Sequence, residues 1–484
     1  MASLGKNTLL VVRSLNDKGH RILRHTLQGK WAVTIEATGK GERGYATGCD
    51  PFGHQRFKST CGSLNHTSIR NKYVKASTEP MEQTAGNNLI RNNAKNDLLH
   101  WTEKTLTVSW ADGQQDSYNA TWLRYNCHCP LCKQEHSGQR LLDIWSLPPA
   151  FSLQSARIQG EDVCLEWEGN DHKGRIPLSF LQEYNYAVKT AKDVTDQRIS
   201  SALKGDIKEV DYFDIMDNRD AQWQYLKNLN EDGICLVKNV PTVDKTVKKV
   251  AEVIAPIQGT IYGETFDVVT TDKPINAAYS TVGLQYHMDL VYYESPPGLQ
   301  FLHCLRNDPC VKGGESIFLD IFHIAEEMRQ LYPEKFEVLC RVPATFQKIH
   351  YERERPVHMV YQRPHIILNH NDQITGVHWS PQFEGPLMAQ PGDVEPYYDA
   401  YNTLTRLMTQ SHAQKMMKLQ PGDCIVFNNR RVLHGRQPFE DNGGVRHLQG
   451  TYVNIDEFLS QYIVLCNITG NPDIAKRVGN QCFS

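Results

Sequence analysis

The triplet His287-Met288-Asp289 places an imidazole and a carboxylate two residues apart within an apolar run. On a β-strand, residues i and i+2 point to the same face, so both side chains can approach one ion. A third ligand must come from elsewhere, and His434, in a Leu-His-Gly-Arg run, offers an imidazole. Two imidazoles and one carboxylate leave three positions open, which is the facial triad of non-haem Fe(II) oxygenases. The sequence therefore predicts an iron centre at His287, Asp289 and His434.

A histidine-X-aspartate triplet alone is weak evidence, because a chain of 484 residues with 19 histidines can contain one by chance. For either histidine alone, the ordinary interpretation is a buried structural histidine. The combination with Arg446, twelve positions after His434, is more specific. A guanidinium can bind a carboxylate through two parallel hydrogen bonds. Arg446 is therefore predicted to bind the far carboxylate of 2-oxoglutarate, and a surface salt bridge is the alternative.

A second group of possible metal ligands is a cysteine cluster. Cys127, Cys129 and Cys132 lie together, whereas most of the other cysteines among the 13 are single and sit inside apolar runs. Three thiolates and one imidazole form the closed tetrahedral set of structural zinc sites. The candidates for the imidazole are His128, His136 and His172. Unlinked reduced thiols are the alternative, and a redox Cys-X-X-Cys is less favoured because no thioredoxin-like βαβ pattern surrounds it.

The cluster falls in a predicted small domain, residues 101–185, which contains a faint internal repeat. A strand ending at Trp110 is followed by an Asp-Gly turn, and a strand ending at Trp167 is followed by a Gly-Asn turn. The two tryptophans correspond, so two hairpin-like units are expected. This predicts a compact, mostly β module whose small hydrophobic core needs an additional cross-link, such as a bound metal.

The predicted catalytic domain, residues 186–475, contains many short β-type runs separated by Gly/Pro turns. They lie at 233–239, 259–269, 299–305, 315–321, 344–351, 358–368, 374–380, 423–428 and 446–455. Helical patterns occur at 322–339 and 396–408. This pattern favours a sandwich or barrel over alternating βαβ units. The fold class is therefore predicted to be mainly β with flanking helices, with a double-stranded β-helix (jelly roll) as the catalytic domain.

Residues 1–100 differ from the rest. The first 35 residues carry six basic residues and the single acid Asp17, which is typical of a mitochondrial transit peptide. An ordinary basic tail is the alternative. Residues 47–96 are rich in Asn, Thr, Ser and Gly without periodicity, which indicates a linker. The predicted location is mitochondrial, or otherwise cytoplasmic.

Composition excludes several classes of partner. The formal net charge of −3 gives no global basic field for nucleic acid. The sequence contains no run of about 18 apolar residues, so no membrane span is predicted. It also shows no apolar signal-peptide core near the N-terminus. The sequence therefore predicts neither a nucleic-acid nor a membrane partner, and the unpaired cysteines indicate a reducing compartment.

Three motifs together resemble the γ-butyrobetaine hydroxylase and trimethyllysine dioxygenase family, which belongs to the taurine-dioxygenase-like superfamily. They are Gly313-Gly314-Glu315-Ser316, the segment 287–304, and Val432-Leu433-His434-Gly435-Arg436. The resemblance covers roughly residues 100–470. It implies a jelly-roll core, Fe(II), 2-oxoglutarate as cosubstrate, O2 and ascorbate. It also implies structural zinc on Cys127, Cys129, Cys132 and His172, and a homodimer.

The resemblance further implies an aromatic cage for a trimethylammonium small molecule, held by cation–π attraction. Its members here are Tyr262, Phe266, Tyr279 and Tyr452, with Phe266 in place of a tryptophan usual in the family. For any one aromatic, core packing is the ordinary alternative. Four aromatics in matching places favour the cage.

Asn276 bears on the choice of substrate. Butyrobetaine hydroxylases have an asparagine at this place, near the substrate carboxylate, whereas trimethyllysine enzymes have an aspartate that suits an α-ammonium. The resemblance therefore implies hydroxylation of γ-butyrobetaine to L-carnitine, with trimethyllysine or another small molecule as the alternative. Leu290 and His378 depart from residues common in butyrobetaine hydroxylases. A third hypothesis is a non-enzymatic, metal-stabilised binding module.

Overall fold

The structure is a computed structural model that describes residues 98–186, 205–270, 280–369 and 372–471, together with Asp473 and Ala475. It also gives the backbone of three strands near the N-terminus. The chain divides into two compact units, Met1–Gly86 and Asn87–Ser484. The second unit contains both candidate metal-binding clusters.

The first unit contains a three-stranded antiparallel sheet. Its strands are β1 (Val12–Leu15), β2 (Arg21–Leu27) and β3 (Lys30–Glu36), in that spatial order. They fall in the segment interpreted above as a transit peptide. That interpretation stays a prediction, and the predicted linker lies outside the described residues.

Residues 98–186 fold as two copies of one unit, a three-stranded antiparallel sheet followed by a short helix. The first copy is β4 (Leu99–Trp101), β5 (Thr105–Ser109), β6 (Gln115–Asn119) and α1 (Ala120–Tyr125). The second is β7 (Leu153–Gln159), β8 (Asp162–Trp167), β9 (Asn170–Pro177) and α2 (Leu178–Glu183). Trp167 is fully buried, and its Nε1 donates to the carbonyl of Ala120, 3.1 Å away in the other copy. One shared core therefore joins the repeats.

The strands of the remaining part form two larger sheets and several hairpins. They are β10 (Glu209–Asp211), β11 (Ile234–Lys238), β12 (Phe266–Val269), β13 (Leu284–His287), β14 (Leu299–Asn307), β15 (Lys312–Gly313), β16 (Ser316–Asp320), β17 (Pro343–His350), β18 (Val357–Pro364), β19 (Ile366–Leu368), β20 (Ile374–Val377), β21 (Lys415–Met417), β22 (Cys424–Asn428), β23 (Val432–Arg436), β24 (Phe439–Glu440) and β25 (Arg446–Val453). The larger sheet has the order β10-β11-β22-β14-β25-β12, and the smaller has β13-β23-β16-β21. Apart from the parallel β10–β11 pair, these strands run antiparallel.

Both faces of the larger sheet are buried, which explains why its central strands are almost continuously apolar. In β22, Ile425 and Phe427 pack with Phe318 of the smaller sheet, so the two sheets face each other as in a jelly roll. Cys424 and Val426 point the other way, toward flanking helices. The predicted fold class, mainly β with flanking helices, agrees with this arrangement.

The helices of this part are α3 (Tyr212–Asp217), α4 (Arg219–Asp232), α5 (Thr246–Glu252), α6 (Ile321–Leu331), α7 (Pro333–Arg341), α8 (Val394–Gln410) and α9 (Ile455–Thr469). The single helical pattern predicted at 322–339 is wrong in one respect. The structure has two helices there, because Pro333 cannot continue the hydrogen bonds of α6 and instead begins α7. The predicted strand 259–269 is also too long, since only its last four residues form β12.

Candidate active site and candidate zinc cluster

Two neighbouring strands of the smaller sheet bring the predicted iron ligands together. His287 on β13 lies directly opposite His434 on β23 in the antiparallel register, and their ring centroids are 4.2 Å apart. Nε2 of His287 lies 3.6 Å from Oδ1 of Asp289. Each of the three residues offers one ligand atom, and these atoms lie within 4.8 Å of one another. The spacing fits a single ion.

The reason given above for the convergence of His287 and Asp289 needs correction. β13 ends at His287, so Asp289 lies beyond the strand and not on its face at i+2. Leu290 next to it has a φ of 58°, in the left-handed region that a branched side chain rarely adopts. The backbone therefore turns sharply at the carboxylate ligand, and other contacts must hold it there.

A hydrogen bond orients the ring of His287, and burial keeps His434 in the neutral form that binds a metal. Nδ1 of His287 lies 2.8 Å from the carbonyl of Gln285, which leaves Nε2 facing Asp289. Burial, followed by the charge of His287, lowers the pKa of His434 to about 3. His434 is therefore neutral at physiological pH, which is the form that binds a metal.

Tyr452 makes a contact through its hydroxyl in addition to the contacts of its ring. Its hydroxyl donates to Oδ2 of Asp289 at 2.7 Å, so Oδ1 is the carboxylate oxygen turned toward His287. Burial, followed by the charge of Asp289, raises the pKa of Tyr452 well above its usual value, which keeps the phenol protonated as a donor. The sequence predicted Tyr452 as a cage residue, and its hydrogen bond to the candidate iron ligand Asp289 was missed.

At the other end of the same pocket lies Arg446, the first residue of β25. Arg446 is only 6% exposed, and its burial lowers the pKa of its guanidinium. No carboxylate among the described residues forms an ion pair with Arg446. Arg436 also lines this pocket, and burial with the charge of Arg446 lowers its pKa to about 10. The charge of Glu315 acts on Arg446 from a distance, but a buried guanidinium that no described carboxylate pairs with still favours an anionic ligand.

The glycine pair of the family motif makes room for Arg446. Gly314 has a φ of +74°, and a Cβ there would lie 3.2 Å from Nε of Arg446. A Cβ on Gly313 would lie 2.5 Å from the carbonyl oxygen of Pro438. Close packing against Arg446 therefore explains Gly314, and close packing against the backbone at Pro438 explains Gly313. Ser316, two residues on, lines the pocket and lies opposite Arg436 in the register of β16 and β23.

The aromatic side chains predicted for the cage line the pocket where the structure describes them. Phe266 stacks on Tyr452 with ring centroids 5.1 Å apart, and Tyr262 is tilted against Phe266 at 6.2 Å. Two aromatics that the sequence did not predict, Tyr292 and Phe383, line the same pocket and meet edge to face at 5.1 Å. Asn276 and Tyr279 lie outside the described residues.

Phe266 depends on a glycine of the opposite strand. Gly450 pairs with it across β12 and β25, and a Cβ on Gly450 would lie 2.3 Å from the ring. The tip of the phenyl ring therefore lies over Gly450, and the ring stacks beside Tyr452. Gln300 faces Tyr452 across β14 and β25 and also lines the pocket. It is 1% exposed, and its Oε1 has no hydrogen-bond partner within the described part of the chain. The sequence gave no signal for this amide.

The cysteine cluster closes around one histidine. Nε2 of His172 lies 3.4, 3.6 and 3.5 Å from Sγ of Cys127, Cys129 and Cys132, respectively. Tetrahedral zinc with bonds of roughly 2.3 Å to sulfur and 2.0 Å to nitrogen separates such atoms by about 3.5 Å. The rival His128 lies elsewhere, with Nε2 3.0 Å from Nζ of Lys133. His136 is exposed and is not in the cluster.

N–H groups point at the sulfur atoms, as thiolates require. The backbone N–H groups of Cys129 and Arg175 donate to Cys127 at 3.4 Å, and Nη1 of Arg124 lies 3.3 Å from Sγ of Cys132. Without a metal, burial raises the pKa of the Cys127 thiol to about 12. The three cysteines follow α1 and His172 lies on β9, so an ion here would connect the two copies of the repeat.

Comparisons with known proteins agree with this geometry. Residues 195–452 match the model of the taurine catabolism dioxygenase TauD, TfdA family, and residues 98–182 match the gamma-butyrobetaine hydroxylase-like N-terminal domain. The chain belongs to the TauD, TfdA dioxygenase family. Membership of this family implies Fe(II) and 2-oxoglutarate as cofactor and cosubstrate. It also excludes the hypothesis of a non-enzymatic binding module.

Relatives extend the similarity over most of the chain. A gamma-butyrobetaine dioxygenase of Pseudomonas sp. (strain AK-1) is 29% identical over 74% of this chain and 93% of its own length. The mitochondrial trimethyllysine dioxygenase of Bos taurus is 29% identical over 75% and 88%, respectively. Dioxygenase str8 of Strobilurus tenacellus is 29% identical over 71% and 83%. The predicted family resemblance is thus confirmed. Because the chain is equally identical to a gamma-butyrobetaine dioxygenase and to a trimethyllysine dioxygenase, the sequence identities do not decide between the two substrates. Among the described helices, none combines the length and apolarity of a membrane span.

Proposed function

We propose that this dioxygenase hydroxylates a trimethylammonium small molecule, with γ-butyrobetaine as the substrate and L-carnitine as the product. The observation that carries the proposal is one pocket lined by a three-residue metal set, a buried arginine and several aromatic rings. In the overall reaction 2-oxoglutarate loses CO2 and becomes succinate. One atom of O2 enters the succinate, and the other enters a C–H bond of the substrate as a hydroxyl.

His287, Asp289 and His434 would hold the iron. Two neutral imidazoles and one carboxylate suit Fe(II) and leave positions for a chelating 2-oxo acid and O2. When bound, the metal supplies the activation of O2, which no protein side chain can provide. The contribution of the chain is position: Tyr452 fixes one carboxylate oxygen, and Gln285 fixes the ring of His287.

Arg446 would bind the distal carboxylate of 2-oxoglutarate. The charge of the ligand would neutralise a buried guanidinium, and its planar fork matches a carboxylate. Ser316 lines this end of the pocket and can add a hydrogen bond from its hydroxyl. A salt bridge on the surface, the alternative for Arg446, does not suit a side chain with this burial.

The aromatic end of the pocket would hold the quaternary ammonium. Its methyl groups cannot donate conventional hydrogen bonds, so ring faces are the suitable partners. Tyr262, Phe266, Tyr292, Phe383 and Tyr452 supply five rings. The orphan amide oxygen of Gln300 adds a partial negative charge beside Tyr452. The only carboxylate in the described lining is Asp289, which the metal would use.

Trimethyllysine is the second candidate substrate, since Leu290 and His378 depart from the residues common in butyrobetaine hydroxylases. Leu290 lines the pocket and cannot hydrogen-bond a substrate carboxylate. His378 is fully buried with its Nε2 3.1 Å from Nη1 of Arg363, and it is absent from the described lining. The contrary argument from Asn276 stays a prediction. Mitochondrial relatives such as the bovine enzyme support a mitochondrial location as a further proposal.

We also propose structural zinc at Cys127, Cys129, Cys132 and His172, supported by the separations between nitrogen and sulfur. Ascorbate, which would keep the iron reduced, and a homodimer are proposed from the family resemblance alone.

A panel assay tests the substrate. The purified chain would receive Fe(II), 2-oxoglutarate, ascorbate and either γ-butyrobetaine or trimethyllysine, and succinate and hydroxylated product would be measured together. We expect coupled turnover of γ-butyrobetaine and little of trimethyllysine. The Asn276→Asp variant should shift this ratio toward trimethyllysine. Turnover of trimethyllysine alone would refute the Asn276 argument, and no coupling with either would refute the trimethylammonium assignment.

A further inference from the structure

The backbone of Asp289 is held by one side chain that no prediction above includes. The N–H of Asp289 donates to Oδ1 of Asn429 at 2.8 Å, and Nδ2 of Asn429 donates to the carbonyl of Asp289 at 3.1 Å. The same Nδ2 lies 3.2 Å from the carbonyl of Pro297. Asn429 is fully buried. A single amide thus satisfies both backbone groups of the carboxylate ligand.

These two hydrogen bonds from Asn429 take the place of the backbone bonds that a neighbouring strand would make to Asp289. β13 has ended at His287, so Asp289 has no place in its ladder. A primary amide presents one acceptor and two donors, and can reproduce the two bonds that a facing strand residue would make. The left-handed φ of Leu290 is strained and persists only where the surroundings impose it. Asn429 is one of the groups that impose it.

The position of Asn429 links the metal-bearing segments. It lies in the turn between β22 and β23, five residues before His434. Its own N–H donates to the carbonyl of Gly298 at 2.8 Å. The next residue, Arg430, donates from Nε to the carbonyl of Pro296 at 3.0 Å. One turn therefore holds the segment 289–298 at both ends and leads directly into the strand of the third ligand.

We propose that Asn429 is a positioning residue for the metal centre, which rests on the proposed assignment of His287, Asp289 and His434. It fixes the main chain of Asp289, while Tyr452 fixes Oδ2, so that Oδ1 faces Nε2 of His287. Groups that orient a ligand in this way typically contribute 10–100-fold to metal affinity. A purely structural turn residue would contribute to folding without this effect on the metal.

Metal binding by the full chain tests the proposal without relying on turnover. Mn(II), which suits oxygen and nitrogen ligands and does not react with O2 here, would be titrated calorimetrically into wild type, Asn429→Ala, Asn429→Asp and Asn428→Ala. Asn428 is the matched control because it is the buried asparagine next to Asn429, at the end of β22, and its Oδ1 accepts from the N–H of Arg430 at 3.0 Å. Thermal melting of each variant reports folding separately.

We expect Asn429→Ala to weaken Mn(II) binding by about 10–100-fold, and Asn428→Ala by less than about threefold, even where both lower the melting temperature. Asn429→Asp keeps the size and one acceptor but turns a carboxylate toward two carbonyls, so its loss should be at least as large. If Asn429→Ala does not fold, Asn429→Asp is the variant that tests the proposal. Wild-type affinity in both Asn429 variants, or an equal loss in Asn428→Ala, would overturn the inference. A wild-type chain that binds no Mn(II) would overturn the metal centre itself.

Discussion

The two candidate metal sites differ in how far the protein closes them. In the small domain, four ligands surround one point, with the histidine nitrogen 3.4–3.6 Å from every sulfur. In the large domain, three ligands line a pocket that continues to Arg446 and to a group of aromatic rings. Closed sets of four suit structural zinc, and open sets of three suit catalysis. The number of ligands and the space beside them, rather than the presence of histidine, separate the two roles.

The two sites also differ in the size of the hydrophobic cores that lie beside them. Trp167 and its neighbours form a small core shared by the two copies of the repeat, and the cysteine cluster lies beside it. The triad lies on and beside the smaller sheet, whose strands contribute to two larger hydrophobic cores. Damage to the first cluster should therefore be measured mainly as lost stability, and damage to the second mainly as lost turnover.

Removal of His434 should have the largest effect. The variant His434→Ala leaves two protein ligands, so we expect succinate formation to fall by at least about 10³-fold, the order seen when an essential catalytic group is lost. The sheet should remain folded, since the side chain contributes little to either large core. Succinate release and thermal melting together check this. The control is His358→Ala, at a residue of the β17–β18 hairpin whose ring contacts Tyr351. Retained turnover in His434→Ala would contradict the open-site interpretation.

Loss of a thiolate from the closed cluster should show the opposite pattern. We expect Cys132→Ser to release the zinc and to destabilise the small domain by about 3 kcal/mol or more, because binding of a structural metal is part of the folding free energy. Bound zinc and the unfolding transition would be measured. Cys164→Ser, on β8 outside the cluster, is the matched control. If zinc content and stability are the same in both variants, the cluster is not a structural metal site.

Arg446→Lys tests the anionic end of the open pocket. Lysine keeps the charge but not the planar fork, so the KM for 2-oxoglutarate should rise by about 10-fold or more, which corresponds to one lost charge-assisted hydrogen bond. The metal ligands are untouched, and Mn(II) affinity should stay close to wild type. Arg306→Lys, on the surface beside Asp308, is the control. An unchanged KM would show that the carboxylate of the cosubstrate lies elsewhere.

The sequence predicted which residues cluster at each candidate site better than it predicted what holds them there. Residue types and spacing were sufficient to propose His287, Asp289 and His434, because few combinations of side chains suit open iron sites. The strand geometry invoked for Asp289 was wrong, since Asn429, 140 residues away, holds its backbone. The bond from Tyr452 spans 163 residues. Such contacts depend on how sheets pack, which no local pattern records.

The same limit applies to the pocket walls. Phe383 lies in a short turn, and Tyr292 follows Asp289 in the segment 289–298, so neither has the periodicity that marks a buried face. The proposed zinc ligand His172 is a contrasting case. Three histidines competed for this role on sequence alone, and the antiparallel register of β8 and β9 placed only His172 beside the sulfurs.

The smallest expected effect concerns the aromatic end of the open site. Phe266→Leu removes one ring face, so the KM for a trimethylammonium substrate should rise about fivefold, in line with roughly 1 kcal/mol for one cation–π contact. Phe266→Tyr keeps an aromatic face over Gly450 and should stay near wild type. Binding of a neutral analogue with a tert-butyl group separates charge from shape, because both variants change the volume of the pocket. If Phe266→Leu weakens the neutral analogue as much as the cation, Phe266 acts by packing alone, and the cation is held by the remaining rings.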